Sequence, residues 1–184
     1  MLPGDVTIDC GANIGEVAEV LARTGAEVHA FEPNPYAFEV LVRRLGRTHN
    51  VTLYPHAVFD RAGRSRLYFH VDAVDDPVGA FIGSSLLATK GNVDPERFVE
   101  VETIDLAQFV FDFDRPVRLI KIDVEGVECP LVHHLLDTGA INQVETVLVE
   151  VHDRHIPELR AENQRLRERL ERDGLDGRVL TDWV

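Results

Sequence analysis

The chain has 184 residues, 45% of them hydrophobic and 28% charged, with a formal net charge of −13 at pH 7. That length suits a single domain, residues 1–184, with a real hydrophobic core, and the acidic balance repels a phosphate backbone, which excludes nucleic acid as partner and favours a small neutral or cationic ligand. Cys10 and Cys129 are too few for a disulfide framework, and neither a secretory leader nor an apolar run of about 18 residues is present, so a soluble cytoplasmic protein without membrane insertion is expected.

In chain order, β-branched runs alternate with helical patterns. VTIDC (6–10) reads as a first strand, close enough to Met1 to leave room for an upstream segment. Ile14, Val17, Ala18 and Leu21 follow at helical spacing. AEVHAF (26–31) is a second strand; Asn34 then caps a helix with Pro35 in its first position, and Gly46 ends it. VTLYPHAV (51–58) reads as a third strand, and RLYFHV (66–71) as another, after a turn at Ala62–Gly63. Residues 72–98 lose periodicity and read as a long irregular loop, of the length that is usually functional or disordered. VEVETI (99–104), a short helix at 105–110, a strand at 117–124, a helix from 127 to 138 stopped by Gly139, and a strand at 144–152 come next. Residues 157–184 give a charged terminal helix, apolar only at Leu159, Leu166 and Leu170, and one closing strand. This alternation implies an α/β fold: a Rossmann-like, doubly wound, mostly parallel sheet with helices on both faces, its ligand at the carboxyl ends of the strands.

DCGANIG (9–15) joins the first strand to the first helix. Gly11 and Gly15 permit a tight turn and close approach of a ligand, and helix N-terminal amides face whatever binds. Glu32 ends the second strand, where a carboxylate accepts hydrogen bonds from both ribose hydroxyls. The turn lacks the G-x-G-x-x-G of a dinucleotide site, and Asp9 ahead of it repels a pyrophosphate while suiting the ammonium and sulfonium of S-adenosylmethionine.

The sequence resembles the FkbM-type methyltransferases, within the class I S-adenosylmethionine-dependent group. TIDCGANIG, HAFEPNP, HAVFDRAG, VETIDL, KIDVEGVE and VLVEVH stand in the family's order, from about Gly4 to His152. The resemblance implies methyl transfer from S-adenosylmethionine, most often to a hydroxyl of a sugar, lipid or natural product. It implies that Asp9, Gly11, Asn13 and Gly15, with Ala12 in the same turn, hold the amino-acid end of the donor. Glu32 would hold the ribose with Asn34 beside it, and His56, Ala57 and Val58 would border the adenine. Beyond His152 the match fades, and the chain is short for the usual final antiparallel hairpin.

RLIKIDVEGVE (118–128) places Lys121 and Asp123 on one face of a strand that is otherwise apolar. A lysine there needs an acidic partner, and Lys121 is read as positioning or neutralising acids rather than as a base. Lys121, Asp123, Glu125 and His152 are the expected catalytic wall around a hydroxylated small-molecule acceptor, with Asp123 and His152 the candidates to take the acceptor's proton. Glu128 reads as a helix-dipole residue. Ser84 and Ser85, with Phe81 and Ile82, are read as a candidate lid or acceptor loop. Asp123, Glu150, His152 and Asp153 could hold a divalent ion, but no metal site is assigned: HDRH (152–155) lacks helical ligand spacing. Two alternatives stay open, an NAD-dependent oxidoreductase and a non-catalytic cofactor-binding module. Oligomeric state and the identity of the acceptor are not written in the sequence.

Overall fold

The computed structural model describes residues 1–71, 83–87, 91–151 and 159–181. Its main sheet has six strands, all paired in parallel: β1 (Val6–Cys10), β2 (Glu27–Phe31), β3 (Val51–Tyr54), β7 (Val117–Ile122), β8 (Val147–Val149) and β9 (Val179–Leu180). Their order is β3-β2-β1-β7-β8-β9. The chain leaves β1 towards β2 on one side, whereas β7 closes on the other, so the crossovers diverge at the carboxyl ends of β1 and β7. Ligands of open α/β sheets bind at such a switch point.

Helices α1 (Glu16–Arg23) and α2 (Pro35–Leu45) cover one face. Ala18, Leu21, Leu41 and Leu45 pack there against Val28, Ala30 and Leu119. The other face buries Ile8, Cys10, Phe31, Ile120 and Ile122 beneath α3 (Leu106–Phe111), α4 (Glu128–Thr138) and α5 (Arg160–Arg172). In α5 the thin apolar stripe suffices: Leu166 and Leu170 are buried, and Asn163 beside them accepts from the Cys129 thiol at 2.5 Å. Asn34 caps α2 as its sequence position implies, accepting from the amides of Tyr36 and Ala37. The two adjacent histidines of α4 separate to different partners, His134 to Asp105 and His133 to Arg169.

Four sequence-based boundaries change. The expected strand at 51–58 breaks at Pro55–His56, because proline cannot donate to a ladder. Its second half becomes β4 (Ala57–Phe59), which joins a separate three-stranded sheet with β5 (Gly63–His70) and β6 (Val93–Asp105). The expected loop 72–98 ends earlier, since β6 already starts at Val93; there the strand carries Asp94, Pro95, Glu96 and Arg97, which hid it from an apolar-run search. β7 stops at Ile122 rather than 124, and β8 spans Val147–Val149 rather than 144–152. β9 pairs parallel to β8, where the sequence implied one further strand. The inner side of the small sheet (Ala57, Leu67 and Val101, with Leu86 against them) roofs the carboxyl ends of the main sheet.

Candidate functional site

A cleft lies at the switch point, at the carboxyl ends of β1, β2 and β7. Its walls come from six places: Gly11 and Asn13 after β1, Phe31 to Asn34 after β2, His56 to Val58 at the β4 entrance, Leu67 on β5, Gly83, Ser84 and Leu86, and Asp123 to Glu125 after β7.

The glycine turn is fixed by contact with the neighbouring strand end. Gly11 has φ of +79°, and a Cβ built on it would lie 1.8 Å from the Asp123 carbonyl oxygen. The amides of Gly11 and Ala12 both donate to the Phe31 carbonyl, which ties the turn to β2. Ala12 is buried behind the cleft. Gly15, at φ +89°, precedes α1, and a Cβ there would press on Leu41; it serves helix packing and is not part of the cleft wall. A Gly11→Ala change is expected to abolish ligand binding and to lower stability by at least about 1–2 kcal/mol from the left-handed backbone alone. A thermal melt with a ligand titration checks this; unchanged binding contradicts it.

Glu32 is the best-organised polar group in the cleft. Its Oε2 accepts from the Asn13 amide and its Oε1 from the Asn34 amide, each at 2.8 Å. Asn13 reaches this position through left-handed backbone, φ 49°. Each carboxylate oxygen keeps lone-pair capacity for a further donor. Burial raises the Glu32 pKa to about 7, against the lowering effect of the two amides. Asn34 spends its Oδ1 on the α2 cap and donates through Nδ2 to Ser84 Oγ at 3.2 Å.

Asp9 and Lys121 are not cleft-wall residues. They are register partners on β1 and β7, 0% and 4% exposed, one layer beneath the cleft. Lys121 Nζ donates to the Gly11 carbonyl at 2.7 Å and lies 3.4 Å from Asp9 and 3.2 Å from Asp123. The Asp9 contact meets the distance of an ion pair without hydrogen-bond geometry. Burial pushes the Asp9 carboxyl up. Burial works against the Lys121 ammonium too, but Asp9 and Asp123 outweigh it and raise its pKa above the ordinary value. Lys121 therefore ties the glycine turn to the strand end that carries Asp123. Both side chains, expected from the sequence at the ligand, lie buried beneath the wall residues, and Lys121 supports the glycine turn through the Gly11 carbonyl.

Asp123 and Glu125 do line the cleft, Glu125 with φ of 60°. Glu128 caps the same loop rather than acting on a helix dipole alone: its carboxylate accepts from the amides of Gly126 (2.9 Å) and Val124 (3.2 Å). The segment 83–87 crosses the cleft, held by paired amide–carbonyl bonds between Ser85 and Tyr68. Sequence reading singled out Ser84 and Ser85 but not this bridge, which no periodicity signals. His56 and Ala57 border the cleft, and His56 Nε2 faces Glu102 at 3.4 Å. His152 lies outside the described residues, as do Asp153, Phe81 and Ile82. Among the described residues no group of three His, Cys, Asp or Glu side chains converges on a metal position, and no helix is long and apolar enough to cross a membrane.

A parallel sheet with a cleft and a glycine turn at its switch point and a carboxylate at the next strand end defines a Rossmann-like, nucleoside-binding class. Residues 9–175 match the model of the methyltransferase FkbM domain, and the chain belongs to that family. It is 32% identical over 150 residues to the hexuronic acid methyltransferase AglP of Haloferax volcanii, covering 80% of this chain and 56% of that protein. It is 33% identical over 175 residues to the 31-O-demethyl-FK506 methyltransferase FkbM of Streptomyces tacrolimicus, covering 82% and 66%. The chain thus spans between half and two thirds of these relatives' lengths. A solved structure, methyltransferase FkbM from Methylobacillus flagellatus KT, aligns with a TM-score of 0.46 at 20% identity over 76% of this chain and 30% of that one.

Proposed function

We propose that this protein transfers a methyl group from S-adenosylmethionine to a hydroxyl oxygen of a small molecule. The observation that carries the reading is Glu32, buried at the cleft wall with each oxygen held by one backbone amide and able to accept one more hydrogen bond, the arrangement that a ribose diol requires. The residues present fit the donor: among the described residues Asn13 Oδ1 is buried without a hydrogen-bond partner, Gly11 lines the cleft with its backbone alone, and Ala57 and Val58, next to His56, offer an apolar slot for a base. Bound donor would supply an electrophilic methyl on sulfonium. Asp123 and Glu125 orient the acceptor, and one of these carboxylates or His152 takes its proton as the oxygen–carbon bond forms and the carbon–sulfur bond breaks. No divalent ion enters this scheme. Cytoplasmic action is part of the proposal, in keeping with only two cysteines, both buried.

The relatives' names point to hydroxylated acceptors, a hexuronic acid and demethylated FK506. Asp123 and Glu125 in the cleft favour an acceptor that is neutral beside the reacting hydroxyl. Methyl-labelled donor offered with neutral sugars, the matching uronic acids and complex alcohols tests this. Transfer to an alcohol, with neutral sugars ahead of their uronates, is expected. Donor binding with no transfer to any alcohol would support the non-catalytic module.

The pH dependence follows from Glu32. With a folded pKa of about 7 against an ordinary 4.5, the unliganded protein holds this proton more strongly than the unfolded chain does. Its contribution to stability is present below pH 4.5 and is lost as pH rises to about 7. A ribose diol needs the ionised form, so S-adenosylhomocysteine should bind roughly tenfold tighter at pH 8 than at pH 6. Glu32→Gln should flatten that slope; an equal slope in the variant would assign it to another group.

A further inference from the structure

We propose that Ser85 and Glu128 are positioning residues of the transfer reaction, clamping the loop 123–126 from opposite sides so that Glu125 stands in the cleft. This rests on the methyltransferase reading, but its geometry is independent of any ligand.

Glu125 is a non-glycine residue in left-handed backbone, φ 60°, followed by Gly126 at φ 125°. Such a conformation persists only where its surroundings over-determine it. From below, the Glu128 carboxylate, 2% exposed, gathers the amides of Val124 and Gly126. From above, the Ser85 hydroxyl, 0% exposed, donates to the Glu125 carbonyl at 2.6 Å and accepts from the Leu87 amide at 3.0 Å. Ser85 is itself immobilised by its paired bonds with Tyr68 on β5. The clamp thus fastens the small sheet to the strand end beside Gly11, whose absent side chain lets Asp123 approach. A relaxed Glu125 would take up ordinary right-handed or extended backbone and change where its side chain stands at the cleft wall. Neither clamp residue is assigned to the cleft wall; both act through Glu125.

The test uses Ser85→Ala and, as an independent variant from the opposite side, Glu128→Gln, with hydrogen exchange of the whole unliganded chain. Exchange at 123–126 should rise at least tenfold in both while β1, β2 and β7 stay protected. Affinity for S-adenosylhomocysteine should change less than threefold, since Glu32 and Asn13 are untouched. With an acceptor in hand, kcat should fall at least tenfold at unchanged KM for the donor. Unchanged exchange at 123–126 in both variants overturns the clamp, and so does an equal rise across the core strands, which would make these residues merely structural. If the parent binds no donor, the methyltransferase reading fails, and the exchange result still decides the clamp.

Discussion

Replacing Lys121 with methionine is expected to lower the melting temperature by roughly 10 °C at pH 8, the consequence of stranding a buried carboxylate. Asp9 is fully buried and Lys121 is its ion-pair partner across the β1–β7 register. Removing one member of a buried pair costs about 3–5 kcal/mol, because the remaining charge is left uncompensated. For a chain of this size each kcal/mol shifts the melting point by roughly 2–4 °C. The Gly11 carbonyl also loses its Lys121 donor, so ligand affinity should drop along with stability. Two controls sharpen the result. Asp9→Asn in the same background should recover most of the loss, since a neutral amide has no charge to strand. Acidifying to pH 5 should shrink the deficit: burial already raises the Asp9 pKa, and without Lys121 the carboxyl takes up a proton more readily. A melting point within 2 °C of the parent would show that the pair carries no weight in the fold.

Glu32→Ala should weaken S-adenosylhomocysteine binding at least 100-fold, equivalent to about 2.7 kcal/mol. Two losses combine. The ligand loses a charged acceptor, and hydrogen bonds to charged groups are worth roughly 1.5–3 kcal/mol each. In addition, the amides of Asn13 and Asn34 lose the group that fixes them, so the left-handed Asn13 and the start of α2 are both released. The fold itself should survive, because α2 keeps its Asn34 side-chain cap. Calorimetry with a parallel melt separates lost binding from lost structure, and a loss of less than tenfold in a folded variant contradicts the assigned role.

Much of this site was legible because its signals are local. The turn DCGANIG lies between a strand and a helix, and Glu32 ends the next strand; both follow from patterns a few residues long. Lys121 within an apolar strand announced an acidic partner, and Asp123 two residues on was found by alternation alone. Its second partner, Asp9, depends on the register between β1 and β7, which lies more than 100 residues away in sequence and leaves no local trace. The same limit hid the Ser85–Glu125 bond, whereas the Glu128 cap is local and was read as a helix-dipole contact because an acid in a first turn serves either role. The apolar run at 51–58 concealed a change of sheet at Pro55–His56, whereas the charged start of β6 disguised a strand as a loop. Composition could not show that Asp9 sits under the cleft and not in it; only the packing of α1 over β1 decides that.

The most direct test of the account is a calorimetric titration of the unaltered protein with S-adenosylhomocysteine at pH 8, with NAD as the comparison ligand. A single site with a dissociation constant in the micromolar range, and no comparable heat from NAD, is the result that the Glu32 cradle and the glycine turn predict. A folded protein that gives no heat with S-adenosylhomocysteine would contradict the donor site itself, and with it the proposed methyl transfer.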